Sequence, residues 1–294
     1  MKVLISGSSG LVGSALCAHL AGAGWTVERL VRGAAAGIRW DPSRGEIDAG
    51  RMEGFDTVVH LAGDNIAEGR WTPEKKERIR SSRVAGTALL ASTLAKLEAR
   101  PKNLICASAI GYYGDRGTES LTEESAPGSG YLPDVCREWE TASMPAEKAG
   151  IRVACLRFGV ILTPRGGALK KMLLPFRMGV GGRVGSGRQY MSWVSLEDVV
   201  RAIEFAATCS ALKGPVNVVA DQPVTNAEFT RILGRVLSRP TIFPMPEFAA
   251  RLAFGEMADA LLLASARVLP AKLKAAGFSF KHFDLERSLR SMLC

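Results

Sequence analysis

Residues Met1 to Gly13, MKVLISGSSGLVG, read as a short buried strand that runs into a glycine-rich turn and then into a helix. Met1 to Ser6 is apolar and β-branched, Gly7, Gly10 and Gly13 follow at GxxGxxG spacing, and SALCAHLAGAG (14–24) continues with helical periodicity to a glycine stop. Each glycine has a physical role in that reading. Gly7 permits the tight strand-to-helix turn, Gly10 lets backbone approach a pyrophosphate, and Gly13 lets the helix pack closely on the sheet, with free N–H groups facing phosphate charge. A dinucleotide-binding opening is the expectation. Glycine-rich turns are common, and the strand–turn–helix setting is what separates this one from a plain structural turn.

Downstream, strands and helices alternate. WTVERLVRG (25–33), FDTVVHLAG (55–63), KNLICASAI (102–110) and IRVACLRFGVIL (151–162) read as strands; Pro73 to Ala99, Tyr131 to Gly150 and the second half of WVSLEDVVRAIEFAA (193–207) read as helices. The pattern predicts an α/β, Rossmann-like doubly wound parallel sheet with a smaller, mainly helical C-terminal substrate lobe. The polar stretch from Ala34 to Gly54 is left without an element. The expected division is a dinucleotide-binding domain over 1–240 and a small lobe over 241–294. Within the first, the glycine-rich, basic segment 165–192 reads as an excursion to a substrate mouth, into the substrate lobe.

At 294 residues the chain can bury a substantial core, and no apolar run is long enough to span a bilayer. Its six cysteines are scattered without a CxxC pair and its three histidines are isolated, so reduced thiols, a cytoplasmic setting and no metal site are expected. The net charge of +9 is spread along the chain. Its densest cluster, PEKKERIRSSR (73–83), interleaves glutamates with bases, as a solvated helix face or a positive rim for an anionic ligand would. No basic–aromatic module accompanies it, so neither a nucleic-acid nor a membrane partner is expected, and no signal fixes an oligomeric state.

Cofactor identity is read at the end of the second strand, where an acidic residue favours the free 2′-hydroxyl of NAD and an arginine pairs with the 2′-phosphate of NADP. This chain carries Arg32 there, which favours NADP, with NADPH preferred over NADH. At the edge of the strand 55–63, the small residues Ala62 and Gly63 would let a nucleotide lie against backbone. His60, inside that strand, reads as a core histidine, and Asp64 and Asn65 read as ribose or substrate contacts or as loop caps.

GSSGLVG, LVRG, VVHLAGDNI, ASAIGYYG, VCREWE, LRFGVIL, the run LLPFRMGVGGRVGSGRQYMSWV and the LP…GF tail together resemble, over nearly the full length, the extended (atypical) short-chain dehydrogenase/reductase superfamily and its NAD-dependent epimerase/dehydratase branch. By that resemblance, cofactor contacts fall on Gly7, Gly10, Leu11, Val12, Gly13, Arg32, Leu61, Ala62 and Gly63, with Arg78, Arg83 and Ile161 as further candidates. The superfamily's tyrosine acid/base is paired with a lysine four residues later. That pair is missing here: Tyr131 is followed at that offset by Val135, Tyr112 by Arg116 and Tyr113 by Gly117. The remaining catalytic candidates are Ser108, Tyr113 and Tyr131, with Arg137 or Arg157 as replacement charges and Cys136 as a thiol whose alternative is a buried helix cysteine. Arg183, Arg188 and Trp193 are the candidate substrate contacts, since arginines and glycine backbone suit a nucleotide sugar or other anionic small molecule. Two readings remain: an NADP-dependent oxidoreductase or epimerase-like protein, and an NADP(H)-binding sensor or scaffold that has lost turnover.

Overall fold

The computed structural model describes residues 1–33 and 35–294. Strands β1 (Lys2–Ser6), β2 (Thr26–Val31), β3 (Ile38–Asp41), β4 (Glu46–Ile47), β5 (Thr57–His60), β6 (Asn103–Ala109), β7 (Ser120–Leu121) and β8 (Arg152–Phe158) are followed by β9 (Val160–Leu162), β10 (Tyr190–Met191), β11 (Trp193–Ser195), β12 (Gly214–Val218), β13 (Val224–Thr225) and β14 (Arg267–Val268). The main sheet has eight strands in the order β12-β8-β6-β5-β1-β2-β3-β4, parallel throughout except for the antiparallel β3–β4 pair. Strand order reverses between β1 and β5, and ligands of open α/β sheets bind in the crevice beyond the carboxyl ends of such strands.

Helices cover both faces, as parallel strands buried on both sides require. On one side α1 (Leu11–Gly22), α6 (Leu196–Thr208) and α10 (Ala271–Ala275) enclose a core that includes Ile5, Leu16, Ile105, Leu156, Ile203 and Leu273. On the other, α2 (Pro73–Lys96), α3 (Tyr131–Thr141) and α4 (Met144–Lys148) cover Leu4, Val58, Leu104 and Val153, among others. Two differences from the sequence reading have simple causes. The segment 131–150 is split into α3 and α4 at Ala142–Ser143, just before Pro145, whose ring fits the first turn of a new helix. The polar stretch after β2 forms the edge pair β3–β4, because Ile38 and Trp40 alternate with polar residues and turn inward to the core; its first residue, Ala34, lies outside the described residues.

The lobe is not confined to the C-terminal segment. After Phe158 the chain leaves the main sheet at Gly159, where a Cβ would stand 2.6 Å from the Ser192 carbonyl oxygen, and β9 pairs with β11 in a separate two-stranded sheet. A second core then joins Leu169, Phe176 and Trp193 to Phe229 and Leu233 of α7 (Asn226–Leu237) and to Leu289 of α11 (Leu285–Leu293). α5 (Gly167–Arg177) supplies Leu169 and Phe176 to this core, while α8 (Glu247–Phe254) and α9 (Glu256–Ala258) pack through Phe254 and Met257 on Trp71 and Ile79. The boundary expected at 240 therefore cuts through one packed unit, and α10 returns to the main sheet.

His60 shows how tightly this sheet is closed. It is fully buried on β5, its Nδ1 lies 2.6 Å from Ser6 Oγ, its ring meets Trp40 edge-on, and its Nε2 has no hydrogen-bond partner. Burial pushes the imidazole down from about 6.5 to about 4. The folded chain thus keeps His60 neutral through a pH range in which the unfolded chain protonates it, and stability is lost as pH falls through that window. From these values, urea unfolding midpoints should fall between pH 6.5 and 4 by the equivalent of up to about 3 kcal/mol, and His60→Gln should flatten that acid limb.

Candidate functional site

The glycine-rich turn closes against β5 by backbone contact. Gly7 has φ +67°, and a Cβ there would stand 2.7 Å from both the Leu61 carbonyl carbon and the Ala62 nitrogen; one at Gly13 would collide with the Gly7 carbonyl oxygen. Only glycine lets the turn, α1 and the end of β5 occupy this space. Thr72, Ser195, Thr225 and Asp284 cap the first turns of α2, α6, α7 and α11 with side-chain oxygens. α1 begins differently: its N-cap is Gly10, without a side-chain cap and without an acidic residue in the first turn. Its leading N–H groups are an anion site in waiting, reinforced by the helix dipole.

Around this turn the structure gathers several of the expected residues. Leu11 packs on the glycine pair that opens α5: a Cβ at Gly166 would stand 3.0 Å from Leu11 Cδ1, and Gly167 lies beside the Ile161 carbonyl. Gly63 faces Arg83, whose guanidinium carbon would be 3.4 Å from a Cβ at Gly63. Arg83 donates to the carbonyls of Ile79 and Asp64, both at 3.0 Å, and lies over the Trp139 ring. Asp64 in turn holds Lys75 Nζ at 2.7 Å, so its carboxylate is a loop anchor with a buried lysine as partner. Arg32 is exposed just beyond the end of β2, while Arg78 is exposed on α2. A groove of about 490 Å3 between α1 and β2 is lined by Ser8, Ser9, Ser14, Cys17 and Arg29, an arginine the sequence reading passed over.

The catalytic candidates are joined by a buried network. Arg157, 2% exposed, makes a two-toothed ion pair with Glu140, Nε to Oε1 at 2.7 Å and Nη2 to Oε2 at 2.8 Å. Ser108 Oγ donates to the same Glu140 Oε1 at 2.7 Å. Arg157 Nη1 donates to the Tyr113 hydroxyl at 2.9 Å, and that hydroxyl shares its proton between Asn217 Oδ1 and the Thr122 carbonyl, 2.8 and 3.0 Å away. Its guanidinium also stacks 3.4 Å from the centre of the Tyr112 ring. One of the two arginines suggested as a replacement charge therefore does reach a tyrosine; the other, Arg137, pairs with Asp134 on the surface.

This geometry assigns Tyr113 an internal task. It is completely buried, and desolvation raises its pKa despite the arginine beside it, whose charge is already balanced by Glu140. Tyr131 donates its hydroxyl to the Lys76 carbonyl at 2.6 Å, and burial pushes it up to about 12. Neither phenol is placed as a base for neutral pH. Cys136 lies on the inner face of α3, where a Cβ at Gly111 would stand 3.8 Å from its Sγ; burial and the Glu140 charge push its thiol up to about 12. Ser108 remains at the end of β6, its proton committed to Glu140.

The substrate candidates separate. Trp193 is fully buried in the lobe core and donates its indole N–H to the Gln222 carbonyl, so it anchors the segment and is no pocket wall. Arg188 is exposed. Arg183 lines an open cavity of about 210 Å3 with Thr230, Arg231, Thr241 and Ile242, among others, on the α7 side of the lobe. None of these three lies among the residues packed on the glycine-rich turn. Lys75, Glu140 and Asn217 are the polar residues of the site that the sequence reading did not single out, because each acts through a partner elsewhere along the chain. Among the described residues no group of three or more histidine, cysteine or carboxylate side chains is placed to hold a metal ion, and no helix is long and apolar enough to cross a membrane.

Comparison with known proteins agrees with this architecture. Epimerase family protein Mb2239 of Mycobacterium bovis is 47% identical over 98% of this chain and 96% of its own length. Epimerase family protein YfhF of Bacillus subtilis is 35% identical, covering 100% of this chain and 98% of its own. The crystal structure of the human epimerase family protein SDR39U1 (isoform 2) with NADPH matches with a TM-score of 0.92 at 30% identity, over 99% of each chain. Residues 245–292 match a domain of unknown function, and residues 3–219 match the NAD dependent epimerase/dehydratase family. The chain belongs to the NAD-dependent epimerase/dehydratase family, within the extended short-chain dehydrogenase/reductase superfamily.

Proposed function

We propose that the chain binds NADPH across the reversal between β1 and β5 and serves as an NADP(H)-dependent, epimerase-like oxidoreductase for a small anionic carbonyl or hydroxyl compound of the nucleotide-sugar type. The observation that carries the reading is the glycine cradle with the uncapped start of α1: a surface fitted to a pyrophosphate, in a family whose human member has been crystallised with NADPH. In this reading Gly7 to Gly13 hold the pyrophosphate, Arg32 pairs with the 2′-phosphate, and Leu61 to Gly63 give the nucleotide a flat backbone floor. Leu11, Ile161 and Arg83 border the nicotinamide half. The bound cofactor would supply hydride at its nicotinamide C4; the protein supplies Ser108, held by Glu140, as the polar group at the end of β6.

A second reading, in which NADPH is held without turnover as a sensor or scaffold, is favoured by the engagement of both tyrosine hydroxyls inside the fold. The two readings separate in a turnover assay. Loss of NADPH absorbance with a panel of carbonyl compounds and nucleotide sugars supports an enzyme; a flat trace across the panel supports the sensor.

Cofactor identity is tested without a substrate. NADPH at about one hundred times its Kd should stabilise the fold by about 2.7 kcal/mol in a thermal-shift titration, and NADH at the same concentration by less. Arg32→Ala should weaken NADPH much more than NADH; an equal loss for both would contradict the 2′-phosphate contact. The thiol chemistry is open to a direct check. At pH 8 iodoacetamide should label exposed Cys294 and spare Cys136, whose thiolate requires a pH near 12; mass-spectrometric detection of rapid Cys136 alkylation would reopen a nucleophilic role.

A further inference from the structure

Eight of the twelve large apolar side chains exposed among the described residues belong to two neighbouring segments of the lobe. Leu174 and Met178, each 67% exposed, lie on and just after α5; Ile242 (72%), Phe243 (56%), Phe248 (72%) and Leu252 (74%) lie along the connection into α8 and on α8 itself. These segments are adjacent at both ends. At one end Lys171 of α5 donates to the Ala67 carbonyl at 2.7 Å, and Arg70, from the same loop, donates to the Leu252 carbonyl of α8. At the other end Gly179 packs on Pro240, and Gly182 packs on the Phe243 backbone. A folded chain gains nothing by leaving so much contiguous apolar surface in water, and a patch of this kind marks a contact.

The charges around the patch indicate what it contacts. Arg177, Arg183, Arg231 and Arg239 border it, and among the described residues none has a carboxylate within ion-pair distance, whereas Lys76, Arg80, Arg235 and Arg290 elsewhere on the surface all do. Arg239 instead donates to the Arg177 carbonyl at 2.9 Å, which ties the two segments together, and Arg183 donates to the Ser186 carbonyl at 3.1 Å. Arg183 and Arg231 also line the open cavity of about 210 Å3, with Thr230 and Thr241 in its wall and Ile242 at its edge. Guanidinium and hydroxyl donors in a cavity are suited to a phosphate, and the apolar side chains beside them are suited to acyl chains.

We infer that this face of the lobe docks on an anionic phospholipid bilayer. Ile242, Phe243, Phe248 and Leu252 enter the interfacial layer, and Arg183 and Arg231 take lipid phosphates at the cavity between the connection and α7. Unmatched positive charge beside exposed aliphatic and aromatic groups satisfies both halves of interfacial binding: apolar burial, and attraction to anionic headgroups. This departs from the expectation, drawn from sequence, of no membrane partner. The face meets the same loop that follows Gly63, so docking would set the cofactor crevice close to the bilayer surface. The inference stands apart from any reading of turnover.

The test is co-sedimentation of the full chain with vesicles at physiological ionic strength. Vesicles of phosphatidylcholine with phosphatidylglycerol should pellet the protein, and phosphatidylcholine alone should not. Ile242→Ser with Phe243→Ser should lower binding about tenfold or more through lost apolar burial. Arg183→Gln with Arg231→Gln should remove the preference for anionic lipid. Each pair alters exposed side chains, and an unchanged thermal midpoint shows that the fold is intact. Equal binding to both vesicle types, no binding to either, or full retention by the serine pair would overturn the inference. So would sedimentation equilibrium showing a dimer that the serine pair dissolves, since the patch would then be the contact between two copies.

Discussion

The ion pair between Arg157 and Glu140 is the interaction on which the site's arrangement depends. Arg157 is on β8 and Glu140 on α3, and their partners bring in Ser108 from β6, Tyr113 from the turn after it and Asn217 from β12. Three neighbouring strands and one covering helix are thus tied by one guanidinium and one carboxylate at the carboxyl edge of the sheet. Burying both charges is costly, and removing one partner strands the other at about 3–5 kcal/mol. The geometry repays that cost because every nitrogen of Arg157 has an acceptor and both oxygens of Glu140 are used. The same pair explains why Tyr113 is unsuited to proton transfer despite an adjacent arginine. Glu140 neutralises the guanidinium locally, so desolvation dominates the phenol.

Much of this was legible in the sequence where the signal was local. The strand–turn–helix over Met1 to Gly13, the alternation of apolar strands with helices and the small residues ending β5 depend on backbone geometry and periodicity, both written in consecutive residues. The glycine cradle likewise follows from spacing, since only residues without Cβ fit where the turn, α1 and Leu61–Ala62 meet. What stayed hidden depends on partners far apart. Trp193 was a candidate substrate contact because an aromatic in a glycine-rich basic run suggests a ligand; its burial is decided by the parallel β9–β11 pairing and by Phe229 and Leu233, which come later in the chain. The composition of the lobe is hidden for the same reason. Its core is assembled from 162–193, 220–236 and 285–289, and no single composition shift announces it.

Charge shows the contrast most clearly. In the cluster 73–83 the interleaved glutamates suggested a solvated helix face, yet three of its bases reach carboxylates elsewhere: Lys75 to Asp64, Lys76 to Glu256 and Arg80 to Glu138. The densest basic segment is therefore largely neutralised, and it holds α2 to the loop after β5, to the lobe and to α3. The net charge of +9 must be expressed elsewhere. Part of it stands on the lobe, where Arg177, Arg183, Arg231 and Arg239 face water without acidic partners beside the exposed side chains of α5 and α8.

That separation of paired from unpaired charge also orders the molecule. Around the crevice, three cations are fixed by partners: Arg83 by two carbonyls, Lys75 by Asp64 and Arg157 by Glu140. Groups fixed in this way keep one geometry and lose little entropy when a ligand arrives, which suits recognition of a defined small molecule. On the outer face of the lobe Arg183 and Arg239 each donate to a single carbonyl, and the apolar groups among them are exposed. Loosely held charge beside loosely held hydrocarbon suits a surface that is itself fluid. The crevice is built by the main sheet and its helices, whereas the outer face depends on the connection from Pro240 to Pro246: the Pro240 ring rests on Gly179, the Phe243 backbone rests on Gly182, and Met245 exchanges backbone hydrogen bonds with Arg183 and Gly185, while Ile242 and Phe243 stay exposed.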